Sequence, residues 1–250
     1  MIIELAGSSG AGKSTVADLV QELLQQQSVH ALPAEAAGQA ILHRLRWRTP
    51  WQQLKAWQGL QFSLEHPALA WMALAAQWAR PIPWQHRRWV LRWFFATGGL
   101  YRFCRGRAMP HEVAVFNEGL LHCTVSLFTS EHEPPAAVTV ARYVHRLPRP
   151  DLLIVLEVPP ALCVERLKRR ALPLRRLQGS GPEATLPFVE HAAQAVAIAT
   201  NEARQRNWPL LVIDNTVPLA QVRETLRAHF RGLGTFNAAA RRSVLSASWK

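Results

Sequence analysis

The stretch Ile2-Ile3-Glu4-Leu5-Ala6-Gly7-Ser8-Ser9-Gly10-Ala11-Gly12-Lys13-Ser14-Thr15 decides how this chain is read. Ile2 to Ala6 is a short apolar run that stops at a glycine, the pattern of a buried strand. From Lys13 to about Gln27, Val16, Leu19, Val20, Leu23 and Leu24 recur at the spacing of one helical face. Between them, Gly7 to Ser14 spell a gapless G-x-x-x-x-G-K-S loop in the strand–loop–helix context that gives this motif its meaning. Glycines let successive backbone N–H groups curl around anionic oxygens, and the helix N-terminus adds positive potential. The residues from Gly7 to Thr15 are therefore expected to bind a triphosphate. Lys13 should reach the β and γ phosphates, and Ser14 should ligate magnesium. A chance glycine turn would lack the flanking strand and helix.

Working outward, Val29 to Pro33 reads as a weak second strand and Val113 to Phe116 as a third, closed by Asn117-Glu118-Gly119 with a helix through Phe128. Ala136 to Arg146 is helical. Leu152 to Val158 is a continuous aliphatic run stopped by Pro159-Pro160, as in the middle of a parallel sheet. A helix follows from Pro160, another covers Pro187 to Gln205, Leu210 to Ile213 is the last strand, and Leu219 to Phe230 the last helix. Strands alternating with helices predict an α/β fold, with a central parallel sheet of about five strands between helical layers. Between strands 2 and 3, residues from about 37 to 107 form a helical insertion broken by Pro50, Pro67, Pro81 and Pro83. The domain is expected to span 1–231, with 232–250 a frayed tail.

Composition narrows the class. The 250 residues are 49% apolar and 18% charged, which suits a folded globular chain. No basic leader precedes the first apolar run, and the longest uncharged stretch, His66 to Ala79, falls short of a bilayer span. The three cysteines, Cys104, Cys123 and Cys163, suggest neither a disulfide framework nor a zinc site, and the ten histidines show no metal-ligand spacing. A reduced cytoplasmic protein is expected. The net charge of +12 is concentrated: from His43 to Arg107 there are eleven Lys or Arg and one acid, Glu65, together with eight of the ten tryptophans.

At this point the chain resembles the nucleoside and nucleotide kinase branch of the P-loop fold, most nearly the thymidylate-kinase-like proteins. The resemblance rests on Gly7 to Thr15, on Asn117-Glu118-Gly119, and on Pro150-Asp151-Leu152 through Pro160 running into Glu165-Arg166-Leu167-Lys168-Arg169-Arg170. It covers the sheet and its flanking helices and leaves the insertion uncovered. It implies a P-loop kinase sandwich with ATP and Mg2+ as cofactors and a lid at about 169–182. Arg166, Arg169 and Arg170 match the family's lid-proximal arginines and Arg175 and Arg176 lie in the lid, where a guanidinium would neutralise charge on the transferred phosphoryl group. For any one of these arginines a solvated helix face is the competing reading.

Glu118 falls where such kinases put an acid near magnesium or the acceptor. The family's Asp-Glu or Asp-Arg is here Asn117-Glu118, so no aspartate is present to ligate the metal; Glu118 would act through a metal-bound water or as the acceptor's base. An acid favoured by a helix dipole is the alternative. Glu35 falls where several small-molecule kinases of this fold carry their general base, against an ordinary loop acid. Asp214-Asn215-Thr216 matches the segment bordering the nucleotide base, against a simple helix N-terminus capped by Thr216.

The Arg/Trp-rich insertion has three readings: a site for a small anionic or ring-containing acceptor, a patch that lies on an anionic membrane, or core tryptophans with a solvated arginine rim. No nucleic-acid reading motif accompanies the charge. The expected activity is ATP-dependent transfer of the γ phosphate to a small acceptor held by the insertion, with Lys13, Glu118, Glu35, Arg166 and Arg170 as its catalytic candidates. One alternative is a thymidylate-like nucleoside monophosphate kinase. Another, outside the enzymes, is a nucleotide-gated protein docking on a membrane or polyanion. The acceptor, the ATP or GTP preference and the oligomeric state are not legible.

Overall fold

A computed structural model of the chain describes residues 1–45, 50–80, 82–107, 112–169 and 182–231. Arg170, Arg175, Arg176, most of the expected lid and the tail 232–250 lie outside the described residues.

The elements in order are β1 (Ile2–Ala6), α1 (Lys13–Gln25), β2 (His30–Pro33), α2 (Ala34–Arg44), α3 (Trp51–Glu65), α4 (Pro67–Trp78), α5 (Trp84–Arg107), β3 (Glu112–Phe116), α6 (Cys123–Phe128), α7 (Ala137–Arg146), β4 (Leu152–Glu157), α8 (Pro160–Lys168), a 3-10 turn (Pro182–Ala184), α9 (Thr185–Gln205), β5 (Leu210–Asp214) and α10 (219–231). The five strands make one sheet in the order β2-β3-β1-β4-β5, with every pairing parallel. All five residues of β1 are buried, as are the first five of β4. Because successive side chains point to opposite faces, burial of every residue means that both faces are covered. The result is a three-layer α/β sandwich around a five-stranded parallel sheet, with Ile3, Leu5, Leu153 and Ile154 fully buried at its centre.

The helical insertion sits between β2 and β3 as α2 to α5. Three of its prolines sit at helix starts: Pro50 is the N-cap of α3, Pro67 opens α4, and Pro83 directly precedes α5, while Pro81 lies outside the described residues. Helices α3 and α5 touch backbone to backbone. A Cβ on Gly99 would lie 2.5 Å from the Gly59 nitrogen, and one on Gly59 would lie 2.8 Å from the Phe95 carbonyl oxygen. Any side chain at either glycine would force these helices apart.

Two boundaries differ from the sequence reading in a way that matters. Ser28 adopts a left-handed turn with φ 60°, so β2 begins at His30 and not at Val29. The chain then passes directly from Pro33 into α2, which takes Glu35 into a helical first turn instead of a loop.

Candidate functional site

The site is built where the parallel strands end together. In open α/β sheets ligands settle outside the carboxyl ends of the strands. Here β1 runs into the glycine loop, β3 into Asn117-Glu118, β4 into Pro159 and α8, and β5 into Asn215.

Gly10 and Gly12 hold φ of 88° and 89°, conformations that side-chain-bearing residues rarely adopt. Both are also hemmed in. A Cβ on Gly10 would fall 2.5 Å from the Cys163 carbonyl oxygen, and one on Gly12 would fall 2.5 Å from Nδ2 of Asn215. The loop is thus pressed against α8 and the end of β5. Asn215 Nδ2 donates to the Ala11 carbonyl at 2.7 Å, and Ser8 Oγ lies 3.3 Å from the Cys163 sulfur. Lys13 opens α1 with its side chain buried, its Nζ donating to the carbonyls of Gly7 and Ser8 at 3.1 Å each. Ser14 and Thr15 follow on the exposed face of the first turn.

From β3, Glu118 brings Oε1 to 3.9 Å from Lys13 Nζ and 3.5 Å from His122 Nε2, while its own side chain stays half exposed. Asn117 Nδ2 donates to Ser14 Oγ at 3.0 Å, and Asn117 Oδ1 is buried with no hydrogen-bond partner among the described residues. Ser14 Oγ is thus held by the amide end of Asn117, and the Glu118 carboxylate lies beside the lysine. Hard oxygen donors of this kind fit Mg2+, which usually takes one or two protein oxygens and completes its shell with water and phosphate. Among the described residues no cluster of three or more His, Cys, Asp or Glu is present to hold a metal by protein ligands alone.

From α8, Arg166 donates through Nη2 to the Asn215 carbonyl at 2.9 Å, and its Nη1 would lie 3.9 Å from a Cβ at Gly12. The guanidinium is thereby fixed next to the loop. Arg169 instead pairs with Glu165 on its own helix, one turn away.

Of the sequence-derived candidates, the structure brings together Gly7, Ser8, Ser9, Gly10, Ala11, Gly12, Lys13, Ser14, Thr15, Glu118, Arg166 and Asn215. Glu35 stands apart: its Oε2 accepts from Trp51 Nε1 at 2.8 Å and its Oε1 pairs with Lys55 Nζ at 2.8 Å. Asp214 turns back on its own chain, its Oδ1 accepting from the Thr216 amide at 2.9 Å and the Thr216 hydroxyl at 2.6 Å. Those two bonds hold its carboxyl below the usual range. Asp214 is the acceptor of a turn before α10, while its neighbour Asn215 reaches the loop.

Sequence reasoning missed three contributors. Glu4, in the middle of β1, is 1% exposed and its Oε1 accepts from the Leu121 amide at 2.5 Å. Burial pushes its carboxyl up to about 7, opposed by backbone hydrogen bonds from Leu121 and His122. A lone acid inside a buried apolar run was the available signal. His122, four residues beyond Glu118, and Cys163, under the loop, carried no local pattern.

No protein-family model and no curated protein matches the sequence. Among solved structures, the chain is similar to deoxyadenosine kinase from M. mycoides with bound dATP, at a TM-score of 0.45 and 13% identity, over 94% of this chain and 100% of that one. It is similar to the same kinase with the products dCMP and a flexible dCDP bound, at a TM-score of 0.46 and 14% identity, over the same shares.

Proposed function

We propose that this chain is an ATP- and Mg2+-dependent phosphotransferase acting on a small-molecule acceptor. The observation that carries the reading is the convergence of Lys13, Ser14, Asn117 and Glu118 at the carboxyl ends of β1 and β3.

The loop amides and Lys13 bind the triphosphate, with Lys13 exchanging its Gly7 and Ser8 carbonyl partners for phosphate oxygens. Ser14 Oγ, positioned by Asn117 Nδ2, would hold Mg2+. Bound there, the ion would neutralise charge on the β and γ oxygens. Glu118, half exposed toward the strand ends, accepts the proton of the attacking acceptor hydroxyl. Arg166, fixed by the Asn215 carbonyl, supplies positive charge to the phosphoryl group in flight. In this reading Glu35, engaged by Lys55 and Trp51, supports the α2–α3 corner while Glu118 is the base. Catalysis in this scheme is positioning and electrostatics.

A thymidylate-like nucleoside monophosphate kinase is the narrower version, supported by the strand order and the arginine on α8. The test is mass spectrometry of the protein with Mg-ATP and a panel of nucleosides, nucleoside monophosphates and sugars. A product heavier by one phosphoryl group, absent with Lys13→Ala, is expected. ATP binding without any such product across the panel and a cell metabolite extract would overturn the reading.

A further inference from the structure

Between Glu65 and Glu112 the sequence holds seven arginines and no Asp or Glu. Within that acid-free span, α4 reads Pro-Ala-Leu-Ala-Trp-Met-Ala-Leu-Ala-Ala-Gln-Trp. Its inner face is occupied by buried Leu69, Ala73 and Gln77. Its outer face, Ala68, Trp71, Ala75 and Trp78, recurs at helical spacing, is exposed, and carries no charged group. Trp71 is 70% exposed and Trp78 55%. A helix apolar on all sides is ordinarily enclosed on all sides. The neighbouring helices extend the same chemistry. On α3, Trp57, Leu60 and Leu64 are more than half exposed, and Trp84, at the start of α5, is 57% exposed and meets Trp78 edge to face at 6.4 Å.

The charge bordering this surface is mostly positive, with Glu133 the acid that acts on Arg80 just beyond α4. Arg87 lies over the Trp78 ring at 5.1 Å. Trp84, Arg88 and Arg92 form an exposed i, i+4, i+8 line on α5. Acid is present at the start of the region only as Glu65, which is paired with Arg102. An apolar, tryptophan-bearing helical face with arginines along its edge is complementary to an anionic headgroup layer over acyl chain. It is poorly complementary to a second copy of itself, because a two-fold contact would set one arginine line near another.

We propose that the outer face of α4, with the Trp84–Arg88–Arg92 line of α5, docks this protein peripherally on an anionic lipid bilayer. Among the described residues no helix is long and apolar enough to cross a membrane, so the contact is interfacial. Tryptophan rings suit that depth, with an apolar body and a polar N–H at headgroup level. Arginines at the edge supply the selectivity for negative lipid.

The test is co-sedimentation of the full chain, without nucleotide, with vesicles of phosphatidylcholine alone or with a third phosphatidylglycerol. Binding is expected only with phosphatidylglycerol, falling as salt is raised. Arg88→Gln and Arg92→Gln are surface changes and should each lower the partition coefficient about fivefold, near the ~1 kcal/mol per basic residue expected at such a surface. Trp71→Ser with Trp78→Ser should abolish the quenching of tryptophan fluorescence by brominated lipid. Circular dichroism keeps misfolding separate from lost binding. Three outcomes would overturn the proposal: no sedimentation with phosphatidylglycerol, equal sedimentation with both vesicles, or a lipid-independent dimer in sedimentation equilibrium that dissociates with Trp71→Ser and Trp78→Ser.

Discussion

The Leu121 amide donates to Oε1 of Glu4 at 2.5 Å, joining the middle of β1 to the turn after β3. Gly119 is pressed against the same carboxyl, so closely that a Cβ there would collide with it. Glu4 is therefore the clamp of the segment that presents Glu118 and His122. Its environment is costly for the charged form, and its carboxyl titrates at about 7 against an ordinary 4.5. A raised folded-state value means that stability is greatest below about pH 4.5, falls as pH rises and levels off above about 7. The shift is worth about 3 kcal/mol. Glu4→Gln keeps an acceptor for Leu121 and removes the titration. The stability of wild type relative to Glu4→Gln, from urea unfolding at a series of pH values, should fall by about that amount across this window. A difference that does not change with pH would show that Glu4 titrates alike in the folded and unfolded chain.

The phosphate loop should tolerate no side chain at Gly12. Its φ of 89° is strained for alanine by about 1–2 kcal/mol, and the new Cβ would collide with Asn215 Nδ2, the group that holds the Ala11 carbonyl. Gly12→Ala should weaken ATP binding at least about tenfold, the worth of one hydrogen bond to a charged acceptor. Gly106→Ala is the control: its added Cβ meets nothing within 4 Å, and stability should hold or rise slightly. Calorimetric titration with ATP checks the first, and thermal unfolding the second.

Asn215 links β5 to the loop through one buried side chain, which accepts no substitute of similar reach. Asn215→Ala would leave the Ala11 carbonyl without that donor and should cost about 1–3 kcal/mol. Arg166 bonds the Asn215 backbone carbonyl, so the arginine should keep its place. Loss of stability with less than about a threefold change in ATP affinity at saturating Mg2+ would show that the link supports the fold alone. A tenfold or larger loss of affinity is expected, because the loop amides are aimed by this contact.

How much of this was legible in the sequence follows from the distance over which each feature is encoded. The glycine loop, β1 and β4 are local: their residues are consecutive, and period and turn chemistry identify them. Proline positions likewise located the helix starts of the insertion. The contacts that make the site are not local. Asn117 meets Ser14 across 103 residues, Asn215 meets Ala11 across 204, and no periodicity encodes either. Asp214 and Asn215 were read together, yet the strand's alternation separates them, sending Asp214 to a turn and Asn215 to the loop. The role of the tryptophans was illegible for the opposite reason. Helical spacing shows which residues share a face, while burial depends on what packs there.

The proton acceptor is the last matter to test. Two acids were candidates from sequence. Glu35 is engaged by both Lys55 and Trp51, with no oxygen left unclaimed by those two donors. Glu118 faces Lys13 at 3.9 Å and keeps half its side chain exposed, open to an incoming hydroxyl. If Glu118 is the base, Glu118→Gln preserves shape and hydrogen bonding but cannot take a proton, and kcat should fall about 10²–10⁴-fold with ATP affinity little changed. Glu35→Gln loses only a partly exposed ion pair and should leave kcat within about threefold. Single-turnover rates with whichever acceptor the panel yields separate the two. A large loss confined to Glu35→Gln would move the base to α2 and reduce Glu118 to a tether for Lys13. A large loss in both would require the acceptor to be held between the ends of β2 and β3, with the two strands contributing one acid each.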